Sequence, residues 1–336
     1  YSLGSGPFSP WSSTVSQAFL NVFGADIFVA TSASNDGPAP ASIGSPAVAP
    51  WITAVGNATH NRVFGNRLQS LTGGDTPPPV NIIGESLTGS SGFRDIVHAR
   101  DFGNALCGTG TEELGSTCGD NTGATNPFTP GTFTDKIVVC DRGQYGRIEK
   151  SKNVQLAGAA GMILANTDEQ GESTVAAEFC IPGIHIGDKD GDAIRSWLDS
   201  GENHRGMISA FSRVFSDTLA DRIVDSSSRG PGLPPVEDVM KPNLIAPGNS
   251  ILAAYIAPSN YAFLTGTSMS SPHVAGAAAL LLAANSNWTP SMISSALETT
   301  ATPELAVDFD GSLSTTHEHG AGRPRLEDAA NAGLYF

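Results

Sequence analysis

Apolar residues recur at helical spacing near the start of the chain and then gather in short blocks typical of buried strands. One helical face is formed by four residues spaced i, i+3, i+4 and i+7: Val15, Ala18, Phe19 and Val22. They predict an amphipathic helix over residues 11–23, with Gly24 as its stop signal. Apolar blocks at 26–30 and 51–55 predict strands, and residues 1–4 have the pattern of the end of an earlier strand. We therefore expect parallel β-α-β units with both sheet faces covered.

The pattern changes after residues 72–79, a Gly- and Pro-rich stretch that cannot continue regular structure. Beyond it, strand patterns at 136–140 and 161–166 flank a helical pattern at 148–156. After about Arg213 the first domain resumes. The predicted domain organisation is a first part of one domain, an inserted domain and a second part of the first domain, at residues 1–79, 80–213 and 214–336.

The last third of the chain contains a turn-rich loop at 225–231, a strand at 244–248 and a helix at 274–284. This helix is so uniformly apolar that we expect it to be central in the fold. It is also the longest apolar run, and its 11 residues fall short of the roughly 20 that a membrane-spanning helix needs. The sequence therefore predicts no membrane span.

Composition narrows the possible partners. Of the 336 residues, 40% are hydrophobic, which is enough to bury a sizeable core. The formal net charge of −15 repels phosphate backbones, so we expect no nucleic-acid partner. There is no initiating Met and no basic, apolar leader, which leads us to expect that Tyr1 is not the start of the natural protein.

Four cysteines predict two disulfides: Cys107, Cys118, Cys140 and Cys180. None of their spacings matches the C-x-x-C pairs of a zinc or thioredoxin-like site. Disulfides require an oxidising compartment, so we expect a secreted or extracellular protein. Three connectivities are open to four cysteines. We expect Cys107–Cys118 and Cys140–Cys180.

The strongest chemical signal is residues 266–276, which read GTSMSSPHVAG and open directly into the apolar helix. A serine at a helix N-terminus lies where unpaired N–H groups and the helix dipole favour developing negative charge, and Gly266 permits close approach of another backbone. Ser268 therefore suits a nucleophile whose own N–H group can donate to an oxyanion. The alternative for a single serine is a helix cap.

This segment resembles the nucleophile motif of the subtilisin-like serine proteases, G-T-S-M-[AS]-x-P-H, which implies that Ser268 is the nucleophile. Residues 28–38 resemble the family's strand that ends in the oxyanion asparagine, which implies that role for Asn35. An Asn-Asp-Gly turn is the alternative for that segment. Ser34 departs from the family pattern, which has Gly there, and this puts in question the close approach of a substrate backbone.

Further segments carry the same resemblance. Ser2-Leu3-Gly4 matches the edge that pairs with the substrate backbone. The resemblance implies that substrate contacts come from Ser2, Leu3, Gly4, Ser32, Ala33, Ser34, Gly266 and Thr267. Residues 228–231 and 241–248 resemble segments of plant-type and related bacterial subtilases and are interpreted as structural. Residues 135–166 look like a protease-associated domain, which in this family is inserted into the catalytic domain and is implied to modulate substrate access or self-association.

The family's triad runs in the order Asp, His, Ser, and its first two motifs precede the segment that matches residues 1–4. We therefore expect the triad Asp and His to lie upstream, the chain alone to be nearly inactive with an exposed sheet edge, and the upstream segment to be a partner. His273 is expected to be a satisfied core residue. His317 and His319 suggest a solvated loop rather than a metal site, because no third ligand is evident.

Residues 188–192 imitate the start of a calcium loop, but Ala193 stands where the loop needs Gly and Asp199 where it needs Glu. A helix starting at Ala193 and capped by one of these aspartates is favoured. No metal site or cofactor is predicted, although structural calcium stays open. Asn57 and Asn287 begin glycosylation sequons.

The predicted fold is therefore a three-layer α/β subtilisin-like parallel sheet interrupted by a smaller β-rich protease-associated domain. The predicted function is a serine endopeptidase that hydrolyses peptide bonds in proteins through an acyl-enzyme on Ser268. The alternative is a catalytically incomplete fragment or pseudoprotease that binds peptides or proteins through the inserted domain. A lipase-like hydrolase is disfavoured because it needs G-x-S-x-G, and position 270 is Ser.

Overall fold

The computed structural model describes residues 1–110, 118–119, 126–215, 217, 220–256, 260–303, 308 and 312–335. The helices are α1 Thr14–Gly24, α2 Arg147–Leu156, α3 Asp188–Leu198, α4 Thr267–Ala284, α5 Pro290–Thr299, α6 Thr316–His319 and α7 Leu326–Ala330. The strands are β1 Ala30–Ser32, β2 Thr53–Ala58, β3 Arg62–Thr72, β4 Ile83–Glu85, β5 Gly92–His98, β6 Lys136–Asp141, β7 Gly161–Ala165, β8 Gly183–Ile186, β9 Arg205–Ile208, β10 Ser212–Phe215, β11 Leu244–Pro247, β12 Ile251–Ala254 and β13 Tyr261–Leu264.

The chain divides into two compact units. The discontinuous unit comprises Tyr1–Asn61 and Ser216–Phe336, and the inserted unit comprises Arg62–Phe215. The first boundary therefore falls after Asn61 and not after residue 79 as the sequence suggested. The reason is β3, which pairs with β4, β9 and β10 of the inserted unit.

The discontinuous unit is built on a parallel sheet in the order β1-β2-β11. Tyr1 lies along the side of β1 away from β2, where its backbone nitrogen donates to the Ala30 carbonyl at 2.7 Å and its carbonyl accepts from the Ser32 N–H at 3.1 Å. The parallel sheet confirms the predicted fold class.

Two helices of this unit begin at side-chain caps: Ser13 caps α1, and Thr289 caps α5 with Pro290 following.

Helix α4 packs one stripe of its surface on this sheet. Val274, Ala278 and Leu281 are buried in a cluster with Val55 and Leu244. The described residues leave the opposite stripe open to solvent. The expectation that the whole helix is central is therefore wrong for this chain.

Two large apolar residues show the exposure of that opposite stripe: Leu280 is 63% exposed and Leu282 is 43% exposed. His273 is also exposed, and its Nδ1 atom lies 2.8 Å from the Met269 carbonyl of its own helix. His273 is thus not the core residue that the sequence suggested.

Residues 315–320 are also more ordered than the solvated loop that was expected. Thr315 and Glu318 form a capping box at the start of α6. Glu318 forms an ion pair with Arg229, and His319 is buried. This segment therefore holds residues 228–231 in place, which agrees with their structural interpretation.

The inserted unit is a β-rich fold with an eight-stranded sheet in the order β10-β3-β4-β8-β7-β6-β5-β9. Strand β9 also pairs with β3, so the seven strands β3 to β9 form a closed ring. The central strands β5, β6, β7 and β8 are parallel, and the apolar residues of β6, β7 and β8 are buried. The positions of β6 and β7 agree with the strands predicted at 136–140 and 161–166.

The disulfides join Cys107 to Cys140 and Cys118 to Cys180. The pairing expected from the sequence is therefore wrong. The Asp141 N–H donates to the Ala105 carbonyl at 2.8 Å, so the segment that contains Cys107 runs beside the end of β6. Cys107 and Cys140 are both buried there, with their Cα atoms 5.7 Å apart.

Helix α3 replaces the calcium-like loop, and it begins at Asp188 rather than at Ala193. No aspartate caps it, because the N-cap residue is Gly187. A carboxylate from outside the helix performs this function: Glu172 Oε1 accepts from the Lys189 N–H at 3.1 Å. Within the described part of the chain, no group of three or more His, Cys, Asp or Glu residues is arranged for a metal ion.

His185 in β8 is fully buried with a fixed tautomer. Its Nδ1 atom accepts from the Val175 N–H at 3.0 Å, so Nε2 carries the proton and donates to Asn166 Oδ1 at 2.8 Å. Burial lowers the pKa of His185 well below its usual value, and the nearby charge of Arg147 acts in the same direction. The imidazole is therefore neutral and structural.

The chain leaves and re-enters the discontinuous unit at adjacent positions. Thr59 donates from its N–H to the Arg222 carbonyl at 2.9 Å, and its carbonyl accepts from the Asp221 N–H at 3.1 Å. Asn61 Nδ2 lies 3.0 Å from Asp217 Oδ1. Two antiparallel backbone segments therefore run side by side where the insertion begins and ends.

Candidate active site

Two loops at the carboxyl ends of the parallel strands bring the predicted site residues together. Asn35 follows β1, and Ser268 lies in the first turn of α4, whose N-cap residue is Gly266. Gly266 has φ +155°, and a Cβ there would lie 3.3 Å from both terminal atoms of Asn35. Glycine thus allows the start of α4 to approach the Asn35 side chain closely.

The Asn35 amide is held by Thr267. Its Oδ1 atom accepts from the Thr267 backbone N–H at 2.9 Å and from the Thr267 hydroxyl at 3.1 Å. A backbone N–H can only donate, so the amide oxygen must face Thr267 and the NH₂ group must point away from it. Asn35 and Ser268 line the same cavity, so the Asn35 NH₂ group is the part of this amide that can donate to a group bound there.

Ser2 connects the N-terminal segment to the nucleophile turn. Ser268 Oγ donates to the Ser2 carbonyl at 3.1 Å, and Ser2 Oγ donates to the Ser268 carbonyl at 2.8 Å. Ser2 Oγ also lies 3.1 Å from Ser271 Oγ. Across the described residues, no histidine or carboxylate forms a hydrogen bond with Ser268 Oγ, and the nearby His273 bonds to its own helix.

A cavity of about 320 Å³ lies beside these groups. It is lined by Ser2, Gly4, Ser5, Gly6, Ser32, Ser34, Asn35, Asp36 and Ser268. Its wall is therefore made of hydroxyl, amide and carboxylate groups together with glycine backbone. A substrate group that flanks a carbonyl held between Ser268 and Asn35 would enter this space.

Four of the residues expected to bind substrate do not line the cavity. Leu3 is exposed to solvent, and Ala33 is buried in the core. Thr267 forms hydrogen bonds with Asn35, and Gly266 lies next to the same side chain. The sequence analysis missed Ser5, Gly6 and Asp36. The signal that could have found them is adjacency, because they extend the Ser2–Gly4 and Ser32–Asn35 segments by one or two residues.

Ser34 adopts a left-handed backbone conformation with φ +90°. This conformation is strained for a residue other than glycine. The loop is held there by Ser228, whose N–H donates to the Ser34 carbonyl at 3.1 Å and whose Oγ accepts from the Asp36 N–H at 3.0 Å. The 228–231 segment thus fixes the loop that presents Asn35.

The sequence of this chain has a counterpart among known families. The sequence matches the Subtilase family (Peptidase_S8) over residues 1–324. The chain belongs to the subtilase family. This membership confirms the family resemblance and the subtilisin-like α/β fold class.

Several plant subtilases are similar along almost the whole chain. The Subtilisin-like protease SBT1.4 of Arabidopsis thaliana is 36% identical over 340 residues, which cover 94% of this chain and 41% of that protein. SBT1.7 of the same plant is 36% identical and covers 92% of this chain and 41% of its own length. The chain thus spans about two fifths of the curated relatives that it matches.

Among solved structures, the psychrophilic subtilisin-like protease Apa1 from the Antarctic psychrotroph Pseudoalteromonas sp. AS-11 aligns with 98% of this chain and 69% of its own. The TM-score is 0.38 and the sequence identity is 14%.

The two sequons differ in accessibility. Asn57 is fully buried in β2, between β1 and β11, so it is closed to glycosylation in the folded subtilase. Asn287 lies exposed between α4 and α5. No helix within the described ranges is long and apolar enough to cross a membrane.

Proposed function

We propose that this chain is the C-terminal part of the catalytic region of a secreted serine endopeptidase that cleaves protein substrates. The observation that carries the proposal is that Asn35, whose amide oxygen is held by Thr267, lines the same cavity as Ser268. A hydroxyl nucleophile next to a fixed amide donor is the arrangement that acyl transfer requires.

In the proposed reaction, Ser268 Oγ forms a bond to the scissile carbonyl carbon while a histidine accepts the hydroxyl proton. The oxyanion accepts hydrogen bonds from Asn35 Nδ2 and from the Ser268 N–H, which lies in the first turn of α4 where N–H groups lack intrahelical partners. The C–N bond then breaks, and the histidine returns the proton to the leaving amine. Water then attacks the acyl-enzyme while the histidine accepts its proton, and the histidine returns this proton to Ser268 Oγ as the acyl group leaves. Hydrolysis of this kind needs no cofactor, and we propose none.

The histidine, and the aspartate that orients it, are proposed to come from the segment upstream of Tyr1 in the same protease. The exposed stripe of α4, with Leu280 and Leu282, supports this proposal because an apolar stripe needs a partner. The share of the relatives' length that the chain spans also supports it.

The inserted unit, Arg62–Phe215, is proposed to be a protease-associated domain that modulates substrate access or self-association. Its insertion into the discontinuous unit and its β-rich fold with parallel central strands support this assignment. The two disulfides, both in this unit, support secretion. The similarity to plant subtilisin-like proteases favours the enzyme over the non-catalytic alternative.

The test is covalent labelling of the full-length natural protein with a fluorophosphonate probe. We expect labelling that is lost in Ser268→Ala and retained in Ser270→Ala, a buried serine two residues along the same helix. We also expect Asn35→Ala to lose turnover on a peptide substrate by about 100- to 1,000-fold, a magnitude measured on subtilisin itself. A folded full-length protein that is not labelled would move the assignment to the non-catalytic alternative.

A further inference from the structure

A second cavity, of about 450 Å³, lies in the discontinuous unit at the ends of the strands opposite Ser268. Strands β1, β2 and β11 begin beside it, and it is closed on one side by α5. We call it the α5 pocket. Its wall combines aromatic rings, hydroxyl groups and one carboxylate, contributed by Phe23, Phe28, Trp51, Ser291, Ser294 and Glu298.

Glu298 is the charged group of the α5 pocket. Its Oε1 atom accepts from Ser294 Oγ at 2.7 Å and from Asn243 Nδ2 at 3.2 Å. These two bonds hold the carboxylate in a fixed position on α5. Among the described residues, no arginine, lysine or histidine nitrogen lies within ion-pair distance of it.

The single lysine of the discontinuous unit, Lys241, is buried behind Asn243 and does not line the pocket. Lys241 Nζ donates to the Ile52 carbonyl at 2.6 Å and to Asn243 Oδ1 at 2.8 Å. Asn243 thus stands between the lysine and Glu298. Burial lowers the pKa of Lys241 to about 7, with Glu298 opposing that change, so the lysine is only partly charged at neutral pH. Lys241 therefore neutralises the negative charge of Glu298 only in part.

The aromatic side of the pocket suits an aliphatic chain with a cationic end. The indole N–H of Trp51 donates to the Ser16 carbonyl at 2.9 Å, and its ring packs edge-on against Trp11 with centroids 5.2 Å apart. The ring is thus fixed. Aromatic faces attract organic cations and also cover methylene groups.

We propose that the α5 pocket binds an organic cation, an alkylammonium or guanidinium group on an aliphatic chain, with Glu298 as its counter-ion. The group can come from a lysine or arginine side chain of a polypeptide or from a free diamine. The net charge of −15 favours the approach of such cations. This site goes beyond the proposed peptidase function, because it lies at the other end of the sheet from Ser268.

The test uses the full-length natural protein in a Ser268→Ala background, so that its outcome does not depend on catalysis. Isothermal titration calorimetry would compare N-acetyl-lysine amide with N-acetyl-norleucine amide, a neutral analogue of similar chain length. We expect the lysine compound to bind at least tenfold more tightly and to weaken as salt is raised. Cadaverine and a lysine-containing pentapeptide, titrated in parallel, distinguish a free amine from a polypeptide as the preferred source.

Variants locate the site. Glu298→Gln keeps the shape and an acceptor for Asn243 but removes the charge, and we expect it to weaken binding of N-acetyl-lysine amide at least tenfold. Glu327→Gln, the same change on the exposed surface of α7, should leave it within twofold. Asp36→Asn tests the cavity beside Ser268.

The proposal is overturned if the lysine and norleucine compounds bind equally. It is also overturned if neither compound binds, or if Asp36→Asn rather than Glu298→Gln removes binding. The comparison of the lysine and norleucine compounds uses the protein with an unchanged pocket. It therefore tests the proposal even if Glu298→Gln fails to fold.

Discussion

Lys241 offers a measurable link between burial and stability. It is the only lysine in Tyr1–Asn61 and Ser216–Phe336, it is 1% exposed, and it forms no ion pair within the described residues. Among the described residues, its ammonium group donates to the Ile52 carbonyl and to the Asn243 amide oxygen. Replacement by methionine keeps most of the volume and removes the charge, so the pH dependence of folding should change.

The magnitude follows from the pKa of Lys241, which burial lowers from 10.5 to about 7. That difference corresponds to about 5 kcal/mol at 1.36 kcal/mol per pKa unit. Below pH 7 both states hold the proton, and the full cost of burying the charge opposes folding. Between pH 7 and 10.5 the unfolded chain holds a proton that the folded protein lacks, so the free energy of unfolding rises with pH by about 1.4 kcal/mol per unit. From pH 7.5 to 9.5 Lys241 should therefore add about 2.5 kcal/mol.

The assay is equilibrium unfolding in urea at pH 7.5 and 9.5 in a Ser268→Ala background. Tryptophan fluorescence is a suitable probe because three of the four tryptophans, Trp11, Trp51 and Trp288, lie in the same unit as Lys241. The free energy of unfolding of the parent minus that of Lys241→Met should rise by about 2.5 kcal/mol from pH 7.5 to pH 9.5. Lys189→Met, which replaces an exposed lysine on α3, is the matched control, and its stability relative to the parent should not change between the two pH values. Parallel pH profiles for the parent and Lys241→Met would refute the reasoning.

Two further predictions concern the site and the inserted unit. Thr267→Val removes one of the two donors that hold Asn35 Oδ1, a loss of about 0.5–1.5 kcal/mol; we expect kcat on a peptide substrate to fall about 3- to 10-fold at constant KM, and an unchanged kcat would contradict the positioning role. Replacing Cys107 and Cys140 together by serine should lower the free energy of unfolding of the inserted unit by about 2–4 kcal/mol. Peptide mapping of the parent should find these two cysteines joined, and any other pairing would count against the observed arrangement.

Regular apolar blocks were sufficient to locate the central strands of the inserted unit. The predicted strands at 136–140 and 161–166 correspond to β6 and β7, and the helix predicted at 148–156 corresponds to α2. The block at 26–30 was less informative, because only Ala30 belongs to β1. Phe28 and Val29 precede the strand and line the α5 pocket, which is a tertiary role that apolarity alone does not distinguish from a strand.

The candidate site was predictable as a pair but not as a geometry. Motifs predicted Ser268 and Asn35 as site residues, since each residue type at its spacing matches a family segment, and the two residues line one cavity. The hydrogen bonds from Thr267 that orient Asn35 depend on side-chain direction across two loops, which sequence spacing does not encode. The disulfide pairing failed for a similar reason, because Cys107 meets Cys140 through the return of its loop beside β6.

The adjacent exit and re-entry of the chain at Thr59 and Arg222 have a consequence for the order of folding. An unfolded insertion of about 150 residues would have to close a long loop before these two segments could pair, whereas a folded insertion closes only the few residues at its ends. By the logarithmic dependence of loop-closure entropy on length, that difference is about 3 kcal/mol. A folded Arg62–Phe215 therefore lowers the entropic cost of pairing Thr59 with Arg222, so we expect the parallel sheet of the discontinuous unit to assemble more readily once the insertion has folded.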